Sequence, residues 1–226
     1  LAHAPKLNQI AYTSESISHI SPKDTIHLAS HEDCLKSKKD FAANFKKIEQ
    51  ESNLFESRSF LVQKCKQQYI VITPPYNDYN TEETDLPYSL PYTRLPHPKY
   101  KKRGSIPAWE MIRFSVNTHR GCFGGCAFCT ISAHQGKRIR SRSQESVIKE
   151  VEAITEMDGF KGYVSDLGGP SANMFQMTGK NIEVCKKCKR YSCIHPNICS
   201  NLNTDHTQLL KLYRKAATVK DVKKVF

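Results

Sequence analysis

No apolar run in the 226 residues approaches the roughly 18–20 needed to span a membrane, so no membrane partner is expected. The opening LAHAPKLNQI has neither a basic flank nor an apolar core, and no signal peptide is expected there. Acidic residues are scarce: 22 Asp and Glu stand against 34 Lys and Arg, a formal charge of +12. Such an excess can attract nucleic acid or other polyanions. The basic residues, however, are spread through KSKKDFAANFKK, HPKYKKRG and KRIRSRS, with no RNA-binding signature beside them. A solvated basic face is the simpler reading, and nucleic acid stays an unsupported partner. Nine cysteines cannot all pair within one chain. With no export signal a cytoplasmic location is expected, where clustered thiols serve more often as metal ligands or catalysts than as disulfides. The length suits one or two domains with a real core. The chain starts at Leu1 without a methionine and stops in KDVKKVF, which reads as the first half of a strand, so a piece of a longer protein is expected.

The organisation predicted along the chain has three parts. Residues 1–73 form a small α+β region. In it 1–30 reads as loop, and 33–53 as a helix with Phe41, Phe45 and Ile48 at helical spacing. SFLVQKC and QYIVITPP then form a hairpin turning at residues 66–68, and Cys34 and Cys65 are bystander thiols. Residues 74–108 hold most of the eleven prolines and should lack regular structure. From 109 onward the pattern alternates. MIRFSVN is a strand, followed by the cysteine stretch RGCFGGCAFC. Next comes a helix capped by Ser143, with Val147, Ile148, Val151, Ile154 and Met157 on one face and Gly159 at its end. GYVSDL is a second strand running into Gly168-Gly169-Pro170. A helix near Asp205 points Leu209, Leu212, Tyr213 and Ala216 inward, and KKVF opens a third strand. This alternation predicts an α/β fold with parallel strands, in which ligands sit beyond the carboxyl ends of the strands. The cysteine stretch and the Gly-Gly pair both fall there.

Cys122, Cys126 and Cys129 give CxxxCxxC, with no fourth cysteine until Cys185. Three thiolates on a glycine-rich loop can wrap one face of a four-iron cluster, leaving one iron open to a small molecule. An electron-transfer cluster would want a fourth cysteine nearby. A zinc site completed by His119 or His134 is the competing reading of the same spacing.

CFGGCAFC resembles the CxxxCxΦC motif of the radical S-adenosylmethionine superfamily, with Phe128 as the aromatic Φ. IPAWEMIRFSVNTHRGCFGGCAFCTISAHQGKRIRSRSQESVIKEVE, GFKGYVSDLGGPSANMF and CSNLNTDH are similar to its YgiQ-type branch of uncharacterised bacterial proteins, over about residues 75–226. The resemblance implies a partial (β/α) barrel of parallel strands, with two βα units and the start of a third over 109–226. It implies a [4Fe–4S] cluster on Cys122, Cys126 and Cys129, and S-adenosylmethionine on the open iron with Phe128 against its adenine. Gly168 and Gly169 match the first two positions of the family's GGE motif, which implies that they help hold the cofactor by presenting backbone carbonyls, while Pro170 replaces the acid. The implied reaction is reductive cleavage to a 5′-deoxyadenosyl radical, driven by a one-electron reductant such as flavodoxin or ferredoxin, on an unknown substrate. The alternative is a zinc or iron–sulfur module for nucleic-acid binding or electron transfer without radical chemistry.

CKKCKRYSCIHPNIC adds Cys185, Cys188, Cys193 and Cys199 as an insertion over 185–199. Four thiols so close in sequence could hold a structural zinc or a second, fully ligated cluster, or stay unliganded. His195 could replace one of them.

Overall fold

Small polar side chains set where the helices begin. Ser30 accepts a hydrogen bond from Asp33 N, Ser37 from Asp40 N and Ser143 from Ser146 N, and Asn80 forms a reciprocal box with Glu83. Each satisfies backbone donors that a helix cannot satisfy itself. The computed structural model describes residues 7–76 and 79–226. Its elements begin with β1 (Ala11–Ser14), β2 (Thr25–Leu28), α1 (His31–Lys36), α2 (Lys38–Ser52), β3 (Phe60–Cys65) and β4 (Gln68–Ile72). Then come α3 (Thr81–Asp85), α4 (Pro107–Ile112), β5 (Ser115–Asn117), β6 (His119–Arg120), α5 (Ile131–Gln135) and β7 (Arg140–Ser141). The remainder is α6 (Gln144–Thr155), β8 (Tyr163–Val164), β9 (Asp166–Gly168), α7 (Ile182–Lys186), α8 (Thr207–Ala217) and β10 (Lys224–Val225). Together they make a mixed α/β fold with small sheets, and no closed barrel forms among the described residues. No helix among them is long and apolar enough to cross a membrane.

The chain divides into two units. The first takes residues up to 78, Phe123–Arg138 and Gly179–Asn201. The second takes Tyr79–Cys122, Ile139–Thr178 and Leu202–Phe226.

The first unit is built on a four-stranded sheet in the order β1-β4-β3-β2. The expected hairpin is β3–β4, with Val62 opposite Val71 and Lys66 at φ +55° in the turn. Val62, Val71 and Ile20 form its small core. The stretch read as loop over 1–30 supplies both outer strands instead: β1 runs antiparallel to β4 and β2 parallel to β3. Residues 1–6 of that stretch lie outside the described residues. The helix expected over 33–53 is two helices, broken at Ser37, whose extended backbone ends α1 while its hydroxyl caps α2. Phe41 and Phe45 are exposed; the buried residue of α2 is Asn44, which bonds Ala29 N at 2.7 Å, Ala29 O at 3.0 Å and Cys34 Sγ at 3.1 Å. Here a polar side chain satisfying a chain turn, and neither phenylalanine, is what α2 buries.

In the second unit a segment from Tyr163 to Gly168 lies between two parallel neighbours. β9 pairs with β5 and β8 with β10. Ser165 N to Phe114 O (3.1 Å) and Leu167 N to Phe226 O (2.9 Å) tie the pairs together. The crossovers carry α6 and α8, as the alternation predicts. Val147, Ile148, Val151 and Ile154 of α6 and Leu209, Leu212 and Ala216 of α8 are buried with Val116, Val164 and Leu167. Two expectations need correction. MIRFSVN is not one strand: Pro107 starts α4, which contains Met111 and Ile112, and only Ser115–Asn117 is extended. The proline-rich connector is not irregular throughout, because α3 and two short 3₁₀ turns, Leu86–Ser89 and Pro98–Tyr100, form inside it with prolines in their first turns. Its residues 77 and 78 lie outside the described ones.

Candidate functional site

The backbone after β5 is fixed from two sides. Thr118 N donates to Gly168 O at 2.8 Å, and Arg142 N donates to Thr118 O at 3.0 Å. The Arg142 guanidinium is buried, bonds Asn117 O at 2.8 Å, pairs with Glu150 and stacks 3.9 Å from the Tyr88 ring centroid. A strand so held delivers His119 and Cys122 to the carboxyl edge of the parallel sheet. Because β5 and β9 are parallel with Asn117 opposite Gly168, the Gly168-Gly169 turn leaves the sheet at the same edge.

His119 is fully buried there. Its Nδ1 is 2.9 Å from Thr118 Oγ1, and its Nε2 is buried without a hydrogen-bond partner. Burial pulls its pKa down to about 4, with the Ala172 backbone acting in the opposite direction. A Cβ at Gly169 would fall 2.0 Å from His119 Cε1 and 2.1 Å from Nε2, so only glycine fits against this ring. The Gly168 carbonyl, expected to be presented to a cofactor, already accepts from Thr118 N. Cys122 is buried, and Ser171 Oγ donates to its Sγ at 3.0 Å. The second unit therefore brings Cys122 close to the residues that follow the Gly-Gly pair.

Cys126 and Cys129 belong to the first unit. Cys126 is exposed and Cys129 half-buried, joined by a turn in which Cys129 N donates to Cys126 O at 3.0 Å. Ile131 N points at Cys129 Sγ from 3.5 Å. The loop is pinned to the later cysteine-rich segment: Ser192 Oγ donates to Gly124 O at 2.6 Å, and Cys193 N to Phe123 O at 3.0 Å. Gly125 lies at φ +60°, and a Cβ there would meet Tyr191 O at 2.6 Å. That close approach, with the left-handed backbone, requires glycine. Phe128 is 92% exposed, and His134 is also exposed. Among the described residues no group of three or more His, Cys, Asp or Glu stands in a metal-holding arrangement.

No disulfide joins any of the nine cysteines. Cys185 and Cys193 have raised pKa values, first because burial disfavours the thiolate. The Asn201 amide lowers that of Cys185, Lys137 lowers both, and Cys188 and Cys199 raise both further. Lys137 lies 3.9 Å from Cys188 Sγ and is anchored by the Arg190 carbonyl. Its place among the thiols had no signal in the sequence, where it is one of many basic residues. His195 is exposed.

Comparison with known proteins defines the class first. The family described as Radical SAM N-terminal matches residues 2–115, half of the chain. Proteins named UPF0313 are similar over most of it. The one from Bacteroides thetaiotaomicron is 54% identical over 223 residues, 99% of this chain and 36% of its own length. The one from Porphyromonas gingivalis is 52% identical, covering 97% and 34%. UPF0313 protein YgiQ of Escherichia coli is 49% identical over 166 residues, covering 73% and 22%. The chain belongs to the Radical SAM N-terminal family and, within it, to the UPF0313 (YgiQ-type) branch. It spans about a third of the length of the first of these relatives.

Proposed function

We propose that the protein is a radical S-adenosylmethionine enzyme whose cluster ligands are Cys122, Cys126 and Cys129. The observation that carries this reading is the parallel pairing of β5 with β9, which sends the cysteine loop and the Gly168-Gly169 turn out of one sheet edge. In this reading the three parallel strands begin a (β/α) barrel. The chemistry of the donors supports the reading, though their sulfurs are not gathered as a cluster would hold them: three thiols outside disulfides lie on a glycine-rich loop, with Ser171 Oγ and Ile131 N directed at two of the sulfurs. A four-iron cluster held by these cysteines would supply single-electron chemistry for reductive cleavage of S-adenosylmethionine. The chain's own residues orient and shield. Gly169 lets His119 close the edge of the site without a side chain between them. Phe128, exposed beside the last two cysteines, offers a flat apolar face for an adenine. The electron would come from a one-electron reductant such as flavodoxin or ferredoxin.

The test is cofactor cleavage by a full-length protein containing these residues. Cys122→Ala, Cys126→Ala and Cys129→Ala together are expected to abolish formation of 5′-deoxyadenosine while the fold, followed by circular dichroism, is retained. Cleavage that persists in this triple variant would sink the reading.

A further inference from the structure

Two stretches far apart in sequence, Phe123–Arg138 and Gly179–Asn201, fall in the first unit and are bonded to each other. Ser192 Oγ donates to Gly124 O, Cys193 N to Phe123 O, and Lys137 Nζ to the Arg190 carbonyl. Together they carry seven Lys and Arg against one acid, Glu183, and so hold half of the chain's formal charge of +12. The fold thereby gathers a charge that the sequence spreads over two segments.

The partners of these cations leave most of that charge standing. Glu183 lies 3.1 Å from Lys186, which Glu56 also approaches at 3.8 Å, so the one local acid is spent on that lysine. The Arg190 guanidinium donates to the carbonyls of His195 at 3.3 Å and Asn197 at 2.7 Å, and Lys180 Nζ to that of Ser200 at 3.3 Å. A carbonyl orients a cation without cancelling its charge, so the summed field stays positive. Lys187 and Lys189 are exposed and take part in no ion pair among the described residues.

Exposure alternates along this stretch. Lys187, Lys189 and Tyr191 face solvent, while Cys188, Arg190 and Ser192 between and after them are withdrawn. The row is held from behind: Ser192 is bonded to the 123–125 loop, and Tyr191 O lies 2.6 Å from where a Cβ on Gly125 would stand. Two free ammonium groups and one ring, 37% exposed, therefore share an outward line on a fixed backbone. Phosphates call for uncompensated cations, and bases call for a flat ring at the surface. An acidic peptide would match the charge and leave the ring without a partner. A lipid surface calls for an apolar helix face beside the cations, and the helix here, α7, has five residues.

We propose that Lys187, Lys189 and Tyr191 form the outward row of a surface that binds single-stranded nucleic acid, with the lysines on phosphates and the Tyr191 ring on a base. Contacts of these two kinds do not read the sugar hydroxyl, so RNA and DNA strands bind alike. The other cations of the two stretches add long-range attraction. The surface stands whether or not Cys122, Cys126 and Cys129 hold a cluster.

The test is fluorescence anisotropy of a labelled single-stranded RNA of about 20 nucleotides, and of its DNA counterpart, over a salt series. The protein is a full-length one containing this chain. Both strands should bind, more weakly as salt rises. Lys187→Glu with Lys189→Glu should weaken binding about tenfold or more and reduce the log–log salt slope by about 1.4. Tyr191→Ala should weaken it about fivefold or more at an unchanged slope, since a ring releases no counterion. Lys38→Glu with Lys39→Glu, the same charge change on exposed residues of α2, is the control and should cost less than about twofold. Equal losses in the two double variants would mean attraction by net charge alone and would overturn the proposal. So would failure of both strands to bind at low salt, or tighter binding of polyglutamate than of either strand. Lysine-dependent binding to phosphatidylglycerol vesicles, with neither strand bound, would assign the surface to lipid instead.

Discussion

A histidine sealed between a strand and a glycine is costly to charge, and His119 is in that position. Its folded pKa lies near 4, below the ordinary 6.5. Above pH 6.5 the ring is neutral in both states and its contribution to stability is fully present. As pH falls towards 4 the unfolded chain binds a proton that the folded chain refuses, and the contribution is lost. The shift corresponds to about 3 kcal/mol across that window. His119→Gln should therefore flatten the loss of stability between pH 6.5 and 4, measured by chemical denaturation at each pH. Parallel slopes for the two proteins would contradict it. The sequence offered His119 as a possible zinc ligand beside the cysteine motif and gave no sign of its burial. Its burial depends on the parallel pairing of β5 with β9, a contact between residues some fifty positions apart. The cysteine motif, by contrast, is a pattern of local spacing and needs no fold to be seen.

At the scale of elements, amphipathic helices were read well and polar interiors were not. α6 buries four of the five residues that its periodicity placed inward, because apolar side chains at helical spacing have one face to hide. α2 offers the counter-example, since Asn44 is chosen by a turn at Ala29 that no spacing rule includes. The same holds for the Glu150 carboxylate of α6, which pairs with both Arg94 and Arg142. Arg142 is 1% exposed. Glu150→Ala leaves that charge buried without its carboxylate and should cost about 3 kcal/mol or more. Glu145, on the exposed face of the same helix and 3.8 Å from Lys215, is the internal comparison. Glu145→Ala should cost about 0.5 kcal/mol or less. Equal shifts in denaturation midpoint for the two variants would contradict this division. The two arginines also hold the backbone of Ser115 and Asn117, so the cost is expected to reach the strand that leads into the cysteine loop.

At the scale of the molecule, alternation of strand and helix announced the parallel sheet, and motif spacing announced the family. What sequence alone left open was the arrangement around the second cysteine group, whose four thiols are half-buried and joined by no disulfide. The replacement of the family's acid by Pro170 was visible from the start; what now stands beside that turn is a buried neutral imidazole. The central claim is that the open iron of a cluster on Cys122, Cys126 and Cys129 receives S-adenosylmethionine. The most direct measurement is electron paramagnetic resonance of anaerobically purified, reduced full-length protein containing this chain, with and without that cofactor. The account predicts a reduced four-iron signal that changes when S-adenosylmethionine is added and disappears in the triple alanine variant. A signal indifferent to the cofactor, or protein without iron, would contradict it.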